Sequence, residues 1–372
     1  MAFTVGIEEE YLLTDTALGH LVLDPPQSLF AEARRKLGEQ VTPEMLRAQI
    51  EIGTRPHEDA AALRAELVML RRGVGEVAHS HGISPIAAGT HPFGDWSDSL
   101  HTEKQRYADI VNDLQQVGRR LLICGMHVHV QPPDPAARID LMNRVLPYLP
   151  LLLALSTSSP FWRGEDTGLQ CYRLAIYDEL PRTGLPEIFA DEAEYRKYVA
   201  MLVGAGIIPD ASMVWWAIRP SRKFPTLELR VADSVTDLDD SIAIAQLYRC
   251  LLRMLWRRKD VNAGMAPWMR LLIDENRWRA QRYGVEGDLL EIDTDRMVKV
   301  ADYVDHVLAL VQEDMDFFDC RAQVERCRDI VRRGTSAQRQ RQLFEQALAE
   351  GHDKPAALRA VVRWLQQASF PA

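Results

Sequence analysis

The stretch VGIEEEY, residues Val5–Tyr11, combines the alternation typical of a β-strand with three consecutive glutamates. In a strand, residues i and i+2 point to the same face of the sheet. Glu8 and Glu10 therefore share one face, whereas Glu9 lies on the opposite face, which is otherwise apolar. The stretch predicts a strand with one face toward a core and one carboxylate-bearing face.

Three further segments repeat this arrangement of an apolar face and a polar pair. None of the pairs is the mixture of Thr, Ser and Lys expected of a solvated sheet; they are carboxylates, imidazoles, one amide and one guanidinium. The pairs are Gln49 and Glu51 in Ala48–Ile52, His127 and His129 in Met126–Val130, and Glu228 and Arg230 in Leu227–Val231.

Four glutamates on one sheet face would repel one another unless cations bind among them. Oxygen ligands with some imidazole suit Mg²⁺ or Mn²⁺, and Mg²⁺ usually partners phosphates. Arg230 would serve a phosphoryl group through its fork geometry. The pattern indicates metal-assisted phosphoryl transfer from a nucleotide. The glutamates are Glu8, Glu10, Glu51 and Glu228.

Two other interpretations of these strands remain open at this point. Each strand taken alone could be an ordinary solvated face. His127 and His129 on one strand could both face a zinc ion, as in a zinc hydrolase, with Glu228, His91 or Asp233 as the third ligand.

Composition and charge narrow the class of protein. The 44 Lys and Arg against 53 Asp and Glu give a net charge of −9, which argues against nucleic acid as the main partner. The N-terminus has no signal-peptide pattern, and the longest apolar run, near Leu149–Leu155, is too short to cross a bilayer. Five scattered cysteines without a CxxC indicate a reduced, cytoplasmic setting. The lack of a membrane-spanning apolar run predicts no membrane partner.

The order of predicted elements favours an α+β fold with an antiparallel sheet and helices on its other face. Strands and helices do not alternate as βαβ units, and GxGxxG, GxxxxGK[ST] and GxSxG are absent from the sequence. We expect one catalytic domain over 1–372, with a sheet-bearing core at 1–290 and a helical layer at 291–372. Predicted strands are 3–14, 47–53, 83–88, 123–131, 214–219 and 226–232. Predicted helices are 27–37, 57–81, 102–122, 135–155, 192–203 and 241–259, and the chain is helical from 294 with breaks near Cys320, Gly334 and Gly351.

The segment from Ser156 to Pro186 lacks clear periodicity and predicts long functional loops. Several arginines in and after it form a plausible anion-binding set. They are Arg163, Arg173, Arg182, Arg219 and Arg222. The later run Asn276–Arg279, followed by Gly284, is either a substrate loop or a helix end capped by that glycine.

Taken together, these motifs resemble the glutamate–cysteine ligase type 2 family, specifically the YbdK-like carboxylate–amine ligases. The resemblance spans about residues 3–290, and its strings follow the family's order. They are Gly6–Tyr11, Gln49–Glu51, Gly89–Pro92, Gly125–Val130, Cys171–Arg173, Trp216–Ser221, Thr226–Ser234 and Glu275–Ala280.

The resemblance implies a glutamine synthetase-like catalytic sheet that uses ATP and a divalent metal. The family reaction activates a carboxylate as an acyl phosphate, which an amine attacks to form an amide. Glutamate and cysteine are the default substrates, giving γ-glutamylcysteine, and a homodimer is expected. A guanidino kinase-like phosphotransferase or a catalytically silent binding protein are the remaining alternatives.

The resemblance also implies roles for individual residues. Metal ions would bind Glu8, Glu10, Glu51 and Glu228. His127 or His129 would lie by a metal or the transferring phosphate, and Arg230, with Arg219 as second candidate, would stabilise the phosphoryl oxygens. Substrates would contact Arg173, Arg163, Arg182 and Gln49.

Overall fold

A computed structural model describes residues 3–97, 99–103, 112–292 and 294–370. Its strands are β1 (Thr4–Asp15), β2 (Val41–Pro43), β3 (Gln49–Gly53), β4 (Ile83–Ile86), β5 (Gly125–Gln131), β6 (Phe161–Trp162), β7 (Glu165–Asp166), β8 (Ile218–Pro220), β9 (Leu227–Asp233), β10 (Asp288–Glu291) and β11 (Arg296–Lys299). Its helices are α1 (Gln27–Leu37), α2 (Ala60–Ser80), α3 (Gln116–Arg119), α4 (Arg138–Val145), α5 (Leu149–Ser156), α6 (Arg173–Tyr177), α7 (Glu192–Gly204), α8 (Leu238–Arg257), α9 (Met269–Tyr283), α10 (Val300–Leu310), α11 (Gln312–Phe317), α12 (Arg321–Arg333), α13 (Ser336–Ala349) and α14 (Lys354–Ser369).

The central element is a seven-stranded sheet in the order β2-β3-β1-β5-β9-β8, with β4 paired to the far end of β1. Every pairing in it is antiparallel. The long strand β1 joins the sheet together because β3, β4 and β5 all pair with it. The predicted α+β class, with an antiparallel sheet, is confirmed.

Helices cover the apolar face of this sheet, also as predicted. The side chains of Val5, Ile7 and Tyr11 on β1 are buried there, beside α8, and Arg71 of α2 lies over the Tyr11 ring. Aspartates fix where these two helices begin, because Asp59 accepts a hydrogen bond from the backbone of Ala62, and Asp237 does the same at the start of α8.

The helical C-terminal region closes over the same face. Helix α12 packs on α8, and α14 packs beside β4. The ring of Phe370, just after α14, lies 5.0 Å from that of Tyr11. The predicted breaks near Cys320, Gly334 and Gly351 are confirmed, but the helical region begins at Val300 because the hairpin of β10 and β11 precedes it.

Several local expectations were wrong or fall elsewhere. The strand expected at 214–219 is reduced to β8, because the amides of Trp215 and Ala217 donate to the carbonyls of Arg182 and Gly184 in an irregular segment. Residues 104–111 of the helix expected at 102–122 lie outside the described residues; nearby, the structure has α3. Gly284, at φ 55°, ends α9, so the polar run before it is a helix end rather than a loop.

One helical stretch, Pro135–Ser156, is long and apolar enough to cross a membrane by length and composition alone. Within the fold, 83% of its apolar window is buried, and α5 packs against β9, α8 and α9. Its apolar character is accounted for by this core position.

Candidate functional site

A cavity of about 470 Å³ opens over the polar face of the sheet. Strand register explains why the predicted residues meet there, since directly paired residues of antiparallel strands project to the same face. Glu10 lies opposite Glu51, and Glu8 opposite His127. Glu228 lies between His129 on one side and Arg219 on the other.

The β3 side of the cavity is acidic. Glu10, Glu44 and Glu51 each offer a carboxylate oxygen, and these oxygens lie within 4.8 Å of one another. Burial, with the charge of Glu44, raises the pKa of Glu10 to about 7. Burial and the carboxylates of Glu44 and Glu8 hold the pKa of Glu51 well above its usual value. Three crowded oxygen donors of this kind fit a hard divalent cation such as Mg²⁺ or Mn²⁺.

Glu44 was missed by the sequence reasoning. It follows β2 in an irregular connection, so it takes part in no strand alternation that could single it out. The only hint of Glu44 in the sequence was that this acidic residue lies a few positions before β3, the strand that carries Glu51.

Glu8 faces the two histidines of β5. Its Oε2 lies 3.5 Å from Nδ1 of His127 and 3.4 Å from Nε2 of His129. Burial alone would raise the pKa of Glu8, but the two imidazoles outweigh it and hold this pKa well below its usual value. Burial and the charge of Arg230 lower the pKa of His127 to about 4, whereas Glu8 raises that of His129 against its burial.

The β8 and β9 side of the cavity is basic and is organised around Glu228. Arg219 donates to both of its carboxylate oxygens, at 2.9 and 3.0 Å, and Arg230 donates to Oε1 at 2.5 Å. These arginines outweigh burial and hold the pKa of Glu228 far below its usual value. The Tyr177 hydroxyl accepts a further hydrogen bond from Arg230 at 3.0 Å. Glu228 therefore fixes both guanidinium groups at the cavity surface.

A bulge in β9 sets the position of Arg230. Met126 pairs with Ala232 and Val128 with Leu229, so β9 has one residue more than β5 over this interval. Such bulges redirect side chains and often adjoin functional sites. Simple alternation placed Arg230 beside Glu228 but could not show this irregularity.

Arg173, at the start of α6, lies under the cavity against β5. Its guanidinium approaches the carbonyl oxygen of Arg230 at 3.3 and 3.4 Å. A Cβ at Gly125 would stand 2.3 Å from Nη2 of Arg173, so only glycine permits this approach. Within the described part of the chain, the buried Nε atoms of Arg173 and Arg230 have no hydrogen-bond partner. Unpaired buried donors beside a cavity are suited to an anionic ligand.

Other predicted residues divide between cavity and surface. Gln49 lines the cavity and donates to the carbonyl of Ile123 at 2.7 Å. Arg163 and Arg182, expected to bind substrate, do not line it: Arg163 pairs with Asp95 at the surface, and Arg182 lies over the ring of Trp215. The geometry does not support substrate binding by Arg163, whereas Arg182 lies next to the cavity through Trp215, which lines it. The loop before β9 instead contributes Arg222, Lys223 and Phe224.

The sequence of the chain matches a known protein family over nearly its full length. The sequence profile of glutamate–cysteine ligase family 2 matches residues 4–361. The chain belongs to this family. A Rhodospirillum rubrum protein with the provisional name glutamate–cysteine ligase 2 is 51% identical over 97% of the chain and 94% of its own length. A relative from Ruegeria pomeroyi with the same provisional name is 46% identical over 98% of the chain and 94% of its length.

Solved structures agree on the fold of this family member. The glutamate–cysteine ligase of Francisella tularensis, in complex with AMP, superposes with a TM-score of 0.73 at 14% identity, over 100% of this chain and 90% of that one. A bifunctional glutathione synthetase from Pasteurella multocida gives 0.71 at 15% identity, over 98% of this chain and 52% of that one.

Membership in glutamate–cysteine ligase family 2 confirms the predicted resemblance. It also confirms the predicted class of function, a carboxylate–amine ligase. The zinc hydrolase alternative has no support from these relatives.

Proposed function

We propose that the protein joins a carboxylate to an amine at the cost of ATP, through an acyl phosphate, with glutamate and cysteine as default substrates. The observation that carries the proposal is the division of one cavity into an acidic half and a basic half. Glu10, Glu44 and Glu51 lie on one side, and Arg219 and Arg230 lie on the other. A nucleoside triphosphate with its metal ions would use both halves, because carboxylates bind the metal ions and arginines bind the phosphate oxygens.

The acidic half would hold Mg²⁺ or Mn²⁺. Glu10, Glu44 and Glu51 would ligate one ion, and Glu8 would contribute with His127 beside it. When bound, such ions neutralise phosphate charge during phosphoryl transfer. Glu228 was also predicted to bind metal; both of its oxygens pair with arginines, so it would have to share them with an ion.

The basic half would stabilise the transferring group. Arg230 and Arg219 are aimed at the cavity by Glu228 and would donate hydrogen bonds to phosphoryl oxygens as negative charge spreads over them. Arg173, with its unpaired Nε, would bind a substrate carboxylate. Gln49 would contribute amide contacts from the cavity wall.

The two histidines would take different places. His127 faces Glu8 and Glu10, with Nε2 4.0 Å from Glu10 Oε1, and belongs to the metal side. His129 is paired in register with Glu228 and accepts or donates a hydrogen bond at Thr226 Oγ1, 2.9 Å away. His129 would therefore lie beside the phosphates.

We further propose that the small-molecule substrates are amino acids and that the protein is a cytoplasmic homodimer. We also propose one catalytic domain over 1–372, with its core at 1–290 and a helical layer at 291–372. The close packing of α12 on α8 favours one domain rather than two.

ADP release with ATP and Mg²⁺ across a panel of carboxylates, with and without amines, tests the proposal. We expect ADP only when both partners are present, beginning with glutamate plus cysteine, and an amide product by mass spectrometry. An E8Q variant should lose this turnover, whereas E103Q, altered at an exposed glutamate, should keep it. ADP formed with a phosphorylated guanidine, or no turnover with any pair, would contradict the proposal.

A further inference from the structure

Two of the five cysteines lie next to each other outside the cavity. All five are free and buried. Cys250 lies within α8, and Cys320 immediately precedes α12. Their Sγ atoms are 3.6 Å apart, although 70 residues separate them in sequence. A disulfide needs about 2.0 Å between sulfurs, so the two atoms would have to approach by about 1.6 Å from their separation of 3.6 Å.

The surroundings of this pair combine full burial of both side chains with one nearby positive charge. The buried guanidinium of neighbouring Arg249 donates to the carbonyls of Phe3 at 2.6 Å and Glu58 at 2.8 Å. Among the described residues, it pairs with no carboxylate. A positive charge compensated only by dipoles stabilises a nearby thiolate.

Charge and hydrogen bonding distinguish the two thiols. The hydrogen bond from Cys250 and the charge of Arg249 lower the pKa of Cys320, against its burial and the carboxylates of Asp319 and Asp314. Burial raises the pKa of Cys250 well above its usual value. Cys320 is therefore the better nucleophile, with Cys250 in place as the resolving thiol.

We propose that Cys250 and Cys320 form a reversible disulfide on exposure to peroxide, which fastens the C-terminal helical layer to α8. The Cys320 thiolate attacks one peroxide oxygen, the O–O bond breaks, and the released hydroxide takes up a proton as water. The resulting sulfenic acid is attacked by the sulfur of Cys250, and a second water leaves. In sum, two thiols lose two electrons and two protons, and one peroxide becomes two waters.

The disulfide would connect α8, which covers the apolar face of the sheet, to the C-terminal helical layer at the start of α12. Helix α8 supports β9, because the hydroxyl of Tyr248 donates to the carbonyl of Leu227 at 3.3 Å. Helix α12 packs along α8. A cross-link between residues 70 positions apart removes conformational freedom from the unfolded chain. The oxidised protein should therefore melt at a higher temperature than the reduced protein.

The test uses the full chain, first reduced and desalted, then treated with one equivalent of hydrogen peroxide. Intact mass after alkylation in denaturant counts the remaining thiols, and non-reducing peptide mapping locates the bond. We expect three free thiols instead of five, a peptide pair linked through Cys250 and Cys320, a melting temperature higher by several degrees, and reversal by dithiothreitol.

Cysteine variants test which pair of thiols forms the disulfide. C250A and C320A should form no disulfide, whereas C327A, which changes another buried cysteine of α12, should still form it. Five alkylatable thiols in treated wild type, a bond mapped to a different pair, or no rise in melting temperature would overturn the proposal. The mapping of wild type decides the matter even if a variant fails to fold, and none of these measurements depends on ligase activity.

Discussion

Replacing Arg71 with methionine tests the buried ion pair directly behind the polar face. Arg71 and Glu9 are both 0% exposed, and two hydrogen bonds of 2.8 Å join them. Tyr11 and Ser241 donate to the same carboxylate at 2.5 and 2.7 Å. The guanidinium also donates to the carbonyls of Val235, Thr236 and Ser369, so it joins β1, the start of α8 and the end of α14.

The structure gives the expected magnitude. R71M leaves the Glu9 carboxylate buried without its cation, and breaking a buried pair in this way costs about 3–5 kcal/mol. Arg64, two turns earlier on α2, is a matched control: it pairs with Asp239, but the two side chains are 48% and 38% exposed. R64M should cost about 0.2–1 kcal/mol. Urea unfolding followed by circular dichroism measures both free energies of unfolding.

The pH dependence gives a second criterion. In the wild type, Arg71 outweighs burial and holds the pKa of Glu9 below 4.5, so this contribution to stability is present above that pH and is lost as pH falls. In R71M, burial raises the pKa of Glu9 and only the hydrogen bonds from Tyr11 and Ser241 oppose it, so folding then requires uptake of a proton. The penalty should grow by roughly 1.4 kcal/mol per pH unit above about 4.5, up to the new pKa. Equal costs for R71M and R64M, or an R71M cost independent of pH between 5 and 8, would refute the reasoning.

Three further predictions concern the cavity. R230K should lower the rate of ADP release by about 10²-fold, because an ammonium cannot replace the guanidinium fork. Full activity of R230K would show that Arg230 does not stabilise the phosphoryl group. E44Q should raise the Mg²⁺ concentration for half-maximal ADP release about tenfold, while E103Q leaves it unchanged; identical Mg²⁺ titrations would remove Glu44 from the metal site. G125A should reduce activity with little change in circular dichroism, because its Cβ would displace Arg173; activity equal to wild type would show that Arg173 can move without consequence.

Much of the sheet could be predicted because alternation is a local property of the chain. β1, β3, β5 and β9 each carry an apolar face that must be buried, and this requirement fixes which side chains face the cavity. The short strands β2, β10 and β11 were not predicted because they show neither alternation nor an apolar run, whereas β4, of similar length, was predicted from its apolar run. The bulge in β9 could not be predicted from the sequence either, because a bulge exists only relative to the partner strand, here β5.

The candidate site was predictable to the extent that it lies on regular strands. Glu44 and Lys223 follow no strand period and were not predicted, whereas Arg222 was predicted only as one member of the anion-binding set; all three line the cavity. Arg163 and Arg182 were expected at the site because arginines in irregular segments resemble anion ligands. Only the folded chain shows that Arg163 pairs with Asp95 away from the cavity, and that Arg182 lies over Trp215 in the cavity wall.

By itself, the sequence determined that four strands share a polar face of glutamates, histidines and an arginine, because the alternation of side chains is set by local backbone geometry. Only the tertiary structure decided how these charges are distributed. Antiparallel register places Glu10 beside Glu51, and Glu228 between His129 and Arg219. It also paired Glu9 with Arg71, and brought the Sγ atoms of Cys250 and Cys320 to 3.6 Å from each other, across 62 and 70 residues. Such pairings depend on how layers pack, which no local pattern encodes.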